Sequence, residues 1–283
     1  MQILEFLNLI RIKDWLKNII IFFPLIFSGY LFNHLIYIDV LIGFFTFSIV
    51  SSLIYVLNDI LDIDKDKLHP SKKFSKPLAS KNLSIKFAYI IIFILTVILL
   101  VLIYFQPLIQ FGIISYLFLN LIYNFGFKNV PYLEFSLLAY GYVIRINTGS
   151  NIIQVDSSML MLFSVFFLGI YFLLIKRIGE LNHKFILDNQ ATRNVLKYYN
   201  LDFLKILSVL SIILISFILL IYILTININL ILSFIFSVYF LFKYFFLTKN
   251  NSSGENPINL ILNNKILLSL SFLILICSLV IYI

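Results

Sequence analysis

Residues 58–66 read Asn-Asp-Ile-Leu-Asp-Ile-Asp-Lys-Asp, at the end of a long apolar run. On a helix, Asp59, Asp62 and Asp66 fall at about 0°, 300° and 340°, with Asn58 at about 260° and Asp64 turned away at about 140°. Three carboxylates on one face repel one another unless a cation lies between them, and hard oxygen donors of this kind suit Mg2+. The spacing predicts a metal site of Asn58, Asp59, Asp62 and Asp66 and, through the metal, a bound phosphate. The connection that follows, His69-Pro70-Ser71-Lys72-Lys73-Phe74-Ser75-Lys76-Pro77, is basic, and its prolines interrupt helices. An acid face followed by Lys72, Lys73 and Lys76 makes a plausible diphosphate clamp, metal on one side and ammonium groups on the other. His69 reads more simply as a loop residue than as a general base.

Four further polar elements stand out. Tyr123-Asn124-Phe125-Gly126-Phe127-Lys128 ends in a turn before Pro131. Lys128 is its one charge, either a substrate contact or a topology-setting lysine beside an interfacial Tyr123. In Lys176-Arg177-Ile178-Gly179-Glu180, the cations stand four and three residues before Glu180. That spacing suits either an intrahelical salt bridge or a phosphate-binding face with one acidic position. Arg11-Ile12-Lys13-Asp14-Trp15-Leu16-Lys17-Asn18 enters the first apolar run, where Lys17 and Asn18 could face a cavity. Arg145 lies inside an apolar run, where an unpartnered charge costs about 3 kcal/mol or more. A carboxylate on another helix or a bound phosphate would satisfy it.

The elements that must position these residues are membrane helices. The chain has 283 residues, 61% of them hydrophobic and 12% charged, which excludes a soluble globular domain. Apolar runs at roughly 18–36, 38–57, 85–105, 107–125, 132–150, 157–176, 203–223, 227–247 and 264–282 predict nine spans in one all-α, polytopic domain, 1–283. Residues 1–15 suit a short interfacial helix, read as retained. Of 21 Lys and Arg, all but Arg145 fall in the N-terminus or in the connections at 58–86, 126–131, 176–205 and 243–265. The positive-inside rule puts these on the cytoplasmic side of the cell membrane, with the N-terminus inside, the C-terminus outside, and the polar loops 58–84 and 177–202 at the site. The lone Cys277 rules out a disulfide framework. Membrane lipids, and no nucleic acid, are the expected surroundings. A carrier would need polar residues reaching both faces, and the outer half has few apart from Arg145.

Taken together, these motifs resemble the UbiA superfamily of intramembrane prenyltransferases. The likeness rests on Asn58-Asp59-x-x-Asp62-x-x-x-Asp66 after the second span and on polar loops confined to one side. It implies a helical bundle with a central cavity open to the cytoplasmic side, in which Mg2+ on the aspartates holds a diphosphate leaving group. The polyprenyl-phosphate phosphoribosyltransferase branch is similar in Arg11-x-x-x-Trp15-x-Lys17-Asn18, His69-Pro70-x-Lys72, Tyr123-x-Phe125-Gly126-x-Lys128, Arg145 with Gly149, and Lys176-Arg177-x-x-Glu180. Where prenyl-diphosphate users carry a second aspartate-rich motif, this chain has Lys176-Arg177-x-x-Glu180. The resemblance implies transfer of 5-phosphoribosyl from phosphoribosyl diphosphate to a polyprenyl phosphate, a step toward cell-wall precursors. In this reading Asp59, Asp62 and Lys128 are catalytic. Lys17, Asn18, Lys72, Lys73, Lys76, Tyr123, Arg145, Lys176, Arg177 and Glu180 bind substrate. The alternative is prenyl transfer from a prenyl diphosphate to an aromatic acceptor. The chain departs from the branch at Ile12, where proline is common, and at Lys76, where arginine is usual.

Overall fold

The computed structural model describes residues 2–30, 33–68, 72–186, 194–226, 228–255 and 257–279. His69, Pro70 and Ser71, and the side chain of Lys72, lie outside what is described. Helices are the regular structure of the described residues, and the chain divides into two compact units, 1–127 with 144–157, and 128–143 with 158–283.

In the first unit, α1 (Gln2–Leu9) is shorter than the helix expected over 1–15, and it exposes Ile3 and Leu4. Arg11 then turns the chain with left-handed backbone angles, φ 52° and ψ 52°. Residues Ile12–Phe22 form a 3₁₀ helix, followed by the short α2 (Phe23–Phe27). Helix α3 (His34–Leu61) comes next, then α4 (Ile63–Leu68), α5 (Lys72–Ser75), α6 (Ile85–Phe105) and α7 (Gln110–Asn124). Helix α8 (Leu133–Ile152) gives its second half to this unit. Its core gathers Ile21, Val40, Phe47, Val50, Ile113 and Ile144, among others. Gly149 brings α8 onto the 3₁₀ segment: a Cβ there would stand 2.2 Å from the Ile21 carbonyl oxygen, so only glycine permits the approach.

The second unit holds the start of α8 with α9 (Met159–Ile186), α10 (Leu201–Ile226), α11 (Ile231–Thr248), α12 (Pro257–Asn263) and α13 (Lys265–Leu279). Its core is built on Tyr171, Leu174, Ile175, Ile178, Leu204 and Tyr244.

The prediction of nine spans needs correcting. Among the described residues, six helices are long and apolar enough to cross a membrane, or seven if α12 and α13, bent by 95°, make one span. Three apolar runs fail for different reasons. The run at 18–36 is divided between the 3₁₀ segment and α2, so no single helix covers it. Helix α8 spans most of 132–150 but carries Glu134 and Arg145, and it buries both, with Thr148 and Ser150, in protein. The run at 264–282 begins at a bend, where the Asn264 Oδ1 accepts the backbone N–H of Ile266 and Leu267 and starts α13 afresh. The polar connections are also more helical than expected: α9 continues through Arg177 and Glu180 to Ile186.

Candidate active site

Helix α3 ends at Leu61 and α4 starts at Ile63, yet helical hydrogen bonding crosses the join. The Asp62 N–H reaches the Asn58 carbonyl at 2.9 Å, and the Asp66 N–H reaches the Asp62 carbonyl at 2.9 Å. These bonds keep the predicted register of the acidic face. Asp59 is 2% exposed and Asp66 4%, Asp62 is half-buried, and Asp64 points to solvent in an exposed pair with Lys67.

The carboxylates meet cations from both directions along the chain. Lys76 donates to Asp59 Oδ1 at 2.8 Å and to Asp66 Oδ2 at 2.5 Å, so one ammonium joins the two. The predicted encounter of acid face and basic loop is thus realised through Lys76. Lys73 is exposed and lies over the Phe74 ring. Arg11, which the spacing did not mark as a site residue, donates from Nη2 to Asp59 Oδ1 at 2.6 Å and stacks over Tyr55 at 4.6 Å. The motif Arg11-x-x-x-Trp15-x-Lys17-Asn18 marked the residue but not its partner, which lies 48 residues away.

Two features suit a hard divalent cation. Asp59 and Asp66 converge on one positive group, and the buried Oδ1 of Asn58 has no hydrogen-bond partner among the described residues. A group of three His, Cys, Asp or Glu side chains able to hold a metal is not found among the described residues, so the converging pair is the nucleus of any such site.

Deeper in the first unit, Arg145 is 5% exposed. Its Nε donates to Asn18 Oδ1 at 2.7 Å and its Nη2 to the Tyr116 hydroxyl at 2.8 Å. The guanidinium also lies over the rings of Tyr116, at 4.5 Å, and Phe47, at 5.9 Å. Asn18 in turn donates to Ser48 Oγ at 3.0 Å. Its partners thus include an amide, a phenol and ring faces, types that the sequence had not suggested. Lys17 pairs with Asp14 at 2.6 Å, and Trp15 donates to Ser52 at 3.0 Å, tying the 3₁₀ segment to α3. Tyr123, on α7, is half-buried.

In the second unit, Lys128 is half-buried on a one-turn 3₁₀ helix, Phe127–Asn129. Lys176 and Glu180 are half-buried near the end of α9, and Arg177 between them is buried. Arg177 donates through Nε and Nη2 to the two oxygens of Glu134 at 2.8 and 2.7 Å, and through Nη1 to Glu180 at 2.5 Å. The i, i+3 pair is the one that the spacing allowed. Glu134 was invisible to it, because it joins Arg177 across 43 residues. Tyr199 donates to Glu134 Oε1 at 2.9 Å. Burial first, and then the adjacent Glu134 carboxylate, push the Tyr199 phenol well above its ordinary value, so it remains a neutral donor.

The sequence matches the UbiA prenyltransferase family over residues 19–265, most of the chain. The chain belongs to the UbiA prenyltransferase family. Among UbiA relatives, the decaprenyl-phosphate phosphoribosyltransferase of Corynebacterium glutamicum is 29% identical over 61% of this chain and 53% of that enzyme. The enzyme of the same name from Mycobacterium tuberculosis is 28% identical over 71% of this chain and 68% of its own length. The matches thus span from about half to about two thirds of these relatives. A UbiA homolog from Archaeoglobus fulgidus, solved bound to GPP and Mg2+, superposes with a TM-score of 0.69 at 17% identity, covering 98% of this chain and 99% of that one. At such identity the likeness establishes the fold, and the site must be argued from this chain's own residues.

Proposed function

We propose that this protein transfers a 5-phosphoribosyl group from phosphoribosyl diphosphate to a polyprenyl phosphate, giving polyprenyl-phosphoryl-5-phosphoribose and diphosphate. The observation that carries the reading is the buried Asp59–Asp66 pair, already bridged by one cation and flanked by Arg11. The named relatives add weight to the phosphoribosyl donor over a prenyl one.

Asp59, Asp62 and Asp66, with the Asn58 amide oxygen, would hold Mg2+, whose charge when bound would neutralise the donor's diphosphate. Lys76 and Arg11, on the rim of that acid face, are placed to pass from carboxylate to phosphate oxygens as the donor binds. Lys72, Lys73, Lys128 and Lys17 add cations for the leaving group. Arg145 and Asn18 in the first unit, and Lys176 in the second, are substrate-binding residues in this reading, as is Tyr123. The bond from ribose C1 to the diphosphate oxygen breaks, leaving an oxocarbenium-like centre. A phosphate oxygen of the lipid then forms the new C1–O bond. That nucleophile is already an anion, so no strong general base is required. Transfer takes place at the cytoplasmic side, where the cationic connections gather, with the N-terminus inside.

The test is an assay with radiolabelled phosphoribosyl diphosphate and polyprenyl phosphate, with and without Mg2+. The expected result is a labelled lipid that forms only with the metal. Absence of labelled lipid, together with product from a prenyl diphosphate and an aromatic acceptor, would overturn the assignment.

A further inference from the structure

In the sequence Arg177 reads as a phosphate-binding cation, and its surroundings assign it other work. Its side chain is 2% exposed. Of the five N–H donors on a guanidinium, three are spent on two carboxylates, two in a fork on Glu134 and one on Glu180. Glu134 is fully buried and also accepts the Tyr199 hydroxyl. The Tyr199 ring is itself fixed, stacked on Phe135 at 5.4 Å and edge-on to Tyr132 at 5.3 Å, while its hydroxyl accepts the Tyr132 N–H at 3.2 Å. One guanidinium is thus gripped by two carboxylates, and an incoming anion would have to displace one of them. The opposite side of α9 is also held. A Cβ on Gly179 would stand 2.8 Å from the Glu255 backbone nitrogen, so the helix packs directly on residues 252–255.

We propose that Glu134 is a positioning residue for the transfer reaction: with Tyr199 it takes up the charge of Arg177, so that Arg177 orients Glu180 and the last turns of α9 and binds no phosphate itself. This rests on the phosphoribosyl-transfer reading, in which that helix end faces the substrates. A charge-assisted bond fixes the direction of the Glu180 carboxylate better than a neutral one would, and a bidentate fork fixes the arginine that supplies it.

The experiment uses the full chain in lipid vesicles and the variants Glu134→Gln, Arg177→Lys, Tyr199→Phe and the double variant Glu134→Gln/Arg177→Gln with its two parent singles. It measures kcat, KM for phosphoribosyl diphosphate, binding of inorganic diphosphate with Mg2+, and melting temperature. Glu134→Gln and Arg177→Lys are each expected to lower kcat about tenfold to a hundredfold, the range for residues that orient a functional group. KM and diphosphate affinity should shift by less than about threefold, and the double variant should lose less than its two parents combined. Tyr199→Phe keeps the ring stack, and with it the fold, and should lower kcat severalfold. A tenfold rise in KM with kcat unchanged would make Arg177 a phosphate ligand and overturn the proposal. So would a lower melting temperature with full turnover per folded molecule, which is a structural role alone. If the wild type turns over no phosphoribosyl diphosphate, it is the reaction assignment that falls. The cluster is then judged by the same comparison of kcat against KM with a prenyl diphosphate and an aromatic acceptor, where a loss of kcat at unchanged KM supports it and full turnover per folded molecule refutes it.

Discussion

Replacing Asp59 by asparagine removes a negative charge that two cations share. Arg11 stands 2.6 Å and Lys76 2.8 Å from Asp59 Oδ1, and Asp59 has 2% of its side chain exposed. Breaking a fully buried ion pair costs about 3–5 kcal/mol. Here the cations keep partial access to water, 27% exposed for Arg11 and 18% for Lys76, and Lys76 retains Asp66 at 2.5 Å. Solvent screening on the cationic side brings the expected loss down to about 2 kcal/mol, a few degrees in a melt. The effect on turnover is much larger. The same carboxylate would hold the metal that neutralises the leaving diphosphate, and losing one such electrostatic contact lowers kcat about a hundredfold to a thousandfold. Asp64→Asn is the control, because that carboxylate is 89% exposed and off the acidic face. It should leave stability and rate within error of wild type. The assay is labelled-lipid formation across a Mg2+ titration, paired with thermal melts of the same preparations. Undiminished Mg2+-dependent turnover by Asp59→Asn, or an equal loss in Asp64→Asn, would refute the metal role.

Three other outcomes follow from the packing. Arg145→Gln cannot hold Asn18, Tyr116 and the two ring faces at once, so melting should show a loss of about 2–3 kcal/mol. Gly149→Ala drives a methyl group into the Ile21 carbonyl and should cost about 1–3 kcal/mol, seen as a lower melting temperature. Tyr199 has a folded pKa raised above its ordinary value of 10.0, so its contribution to stability is complete below about pH 10 and is lost as pH rises above it. Melts between pH 9 and pH 11 should therefore show wild type declining more steeply than Tyr199→Phe, and parallel curves would disprove the raised phenol pKa.

The acidic face was legible because its cause is local. Helical periodicity places Asp59, Asp62 and Asp66 together, and the hydrogen bonds through Asp62 preserve that register. The membrane character followed equally directly, since apolar runs in a bilayer have little choice but to be helical. Counting spans was less secure, because hydropathy measures affinity for lipid and cannot tell a lipid-facing helix from one buried in protein. Helix α8 tolerates Arg145 because Asn18 and Tyr116 solvate it, and the run at 18–36 fails as a span because its backbone winds as a 3₁₀ helix and then breaks.

Partner choice belonged to tertiary structure. Lys176, Arg177 and Glu180 were visible as a motif, but whether Arg177 met a phosphate or a protein carboxylate depended on Glu134. Arg11, at the left-handed turn of the chain, reaches Asp59. Spacing along a single element was enough to say which residues share a helix face and that the chain is a helical membrane protein, though not which apolar runs span the bilayer. Which charge neutralises which across the chain was left to the folded arrangement, because Coulombic pairing depends on distance in space, and Arg11–Asp59 and Arg177–Glu134 join residues 48 and 43 apart.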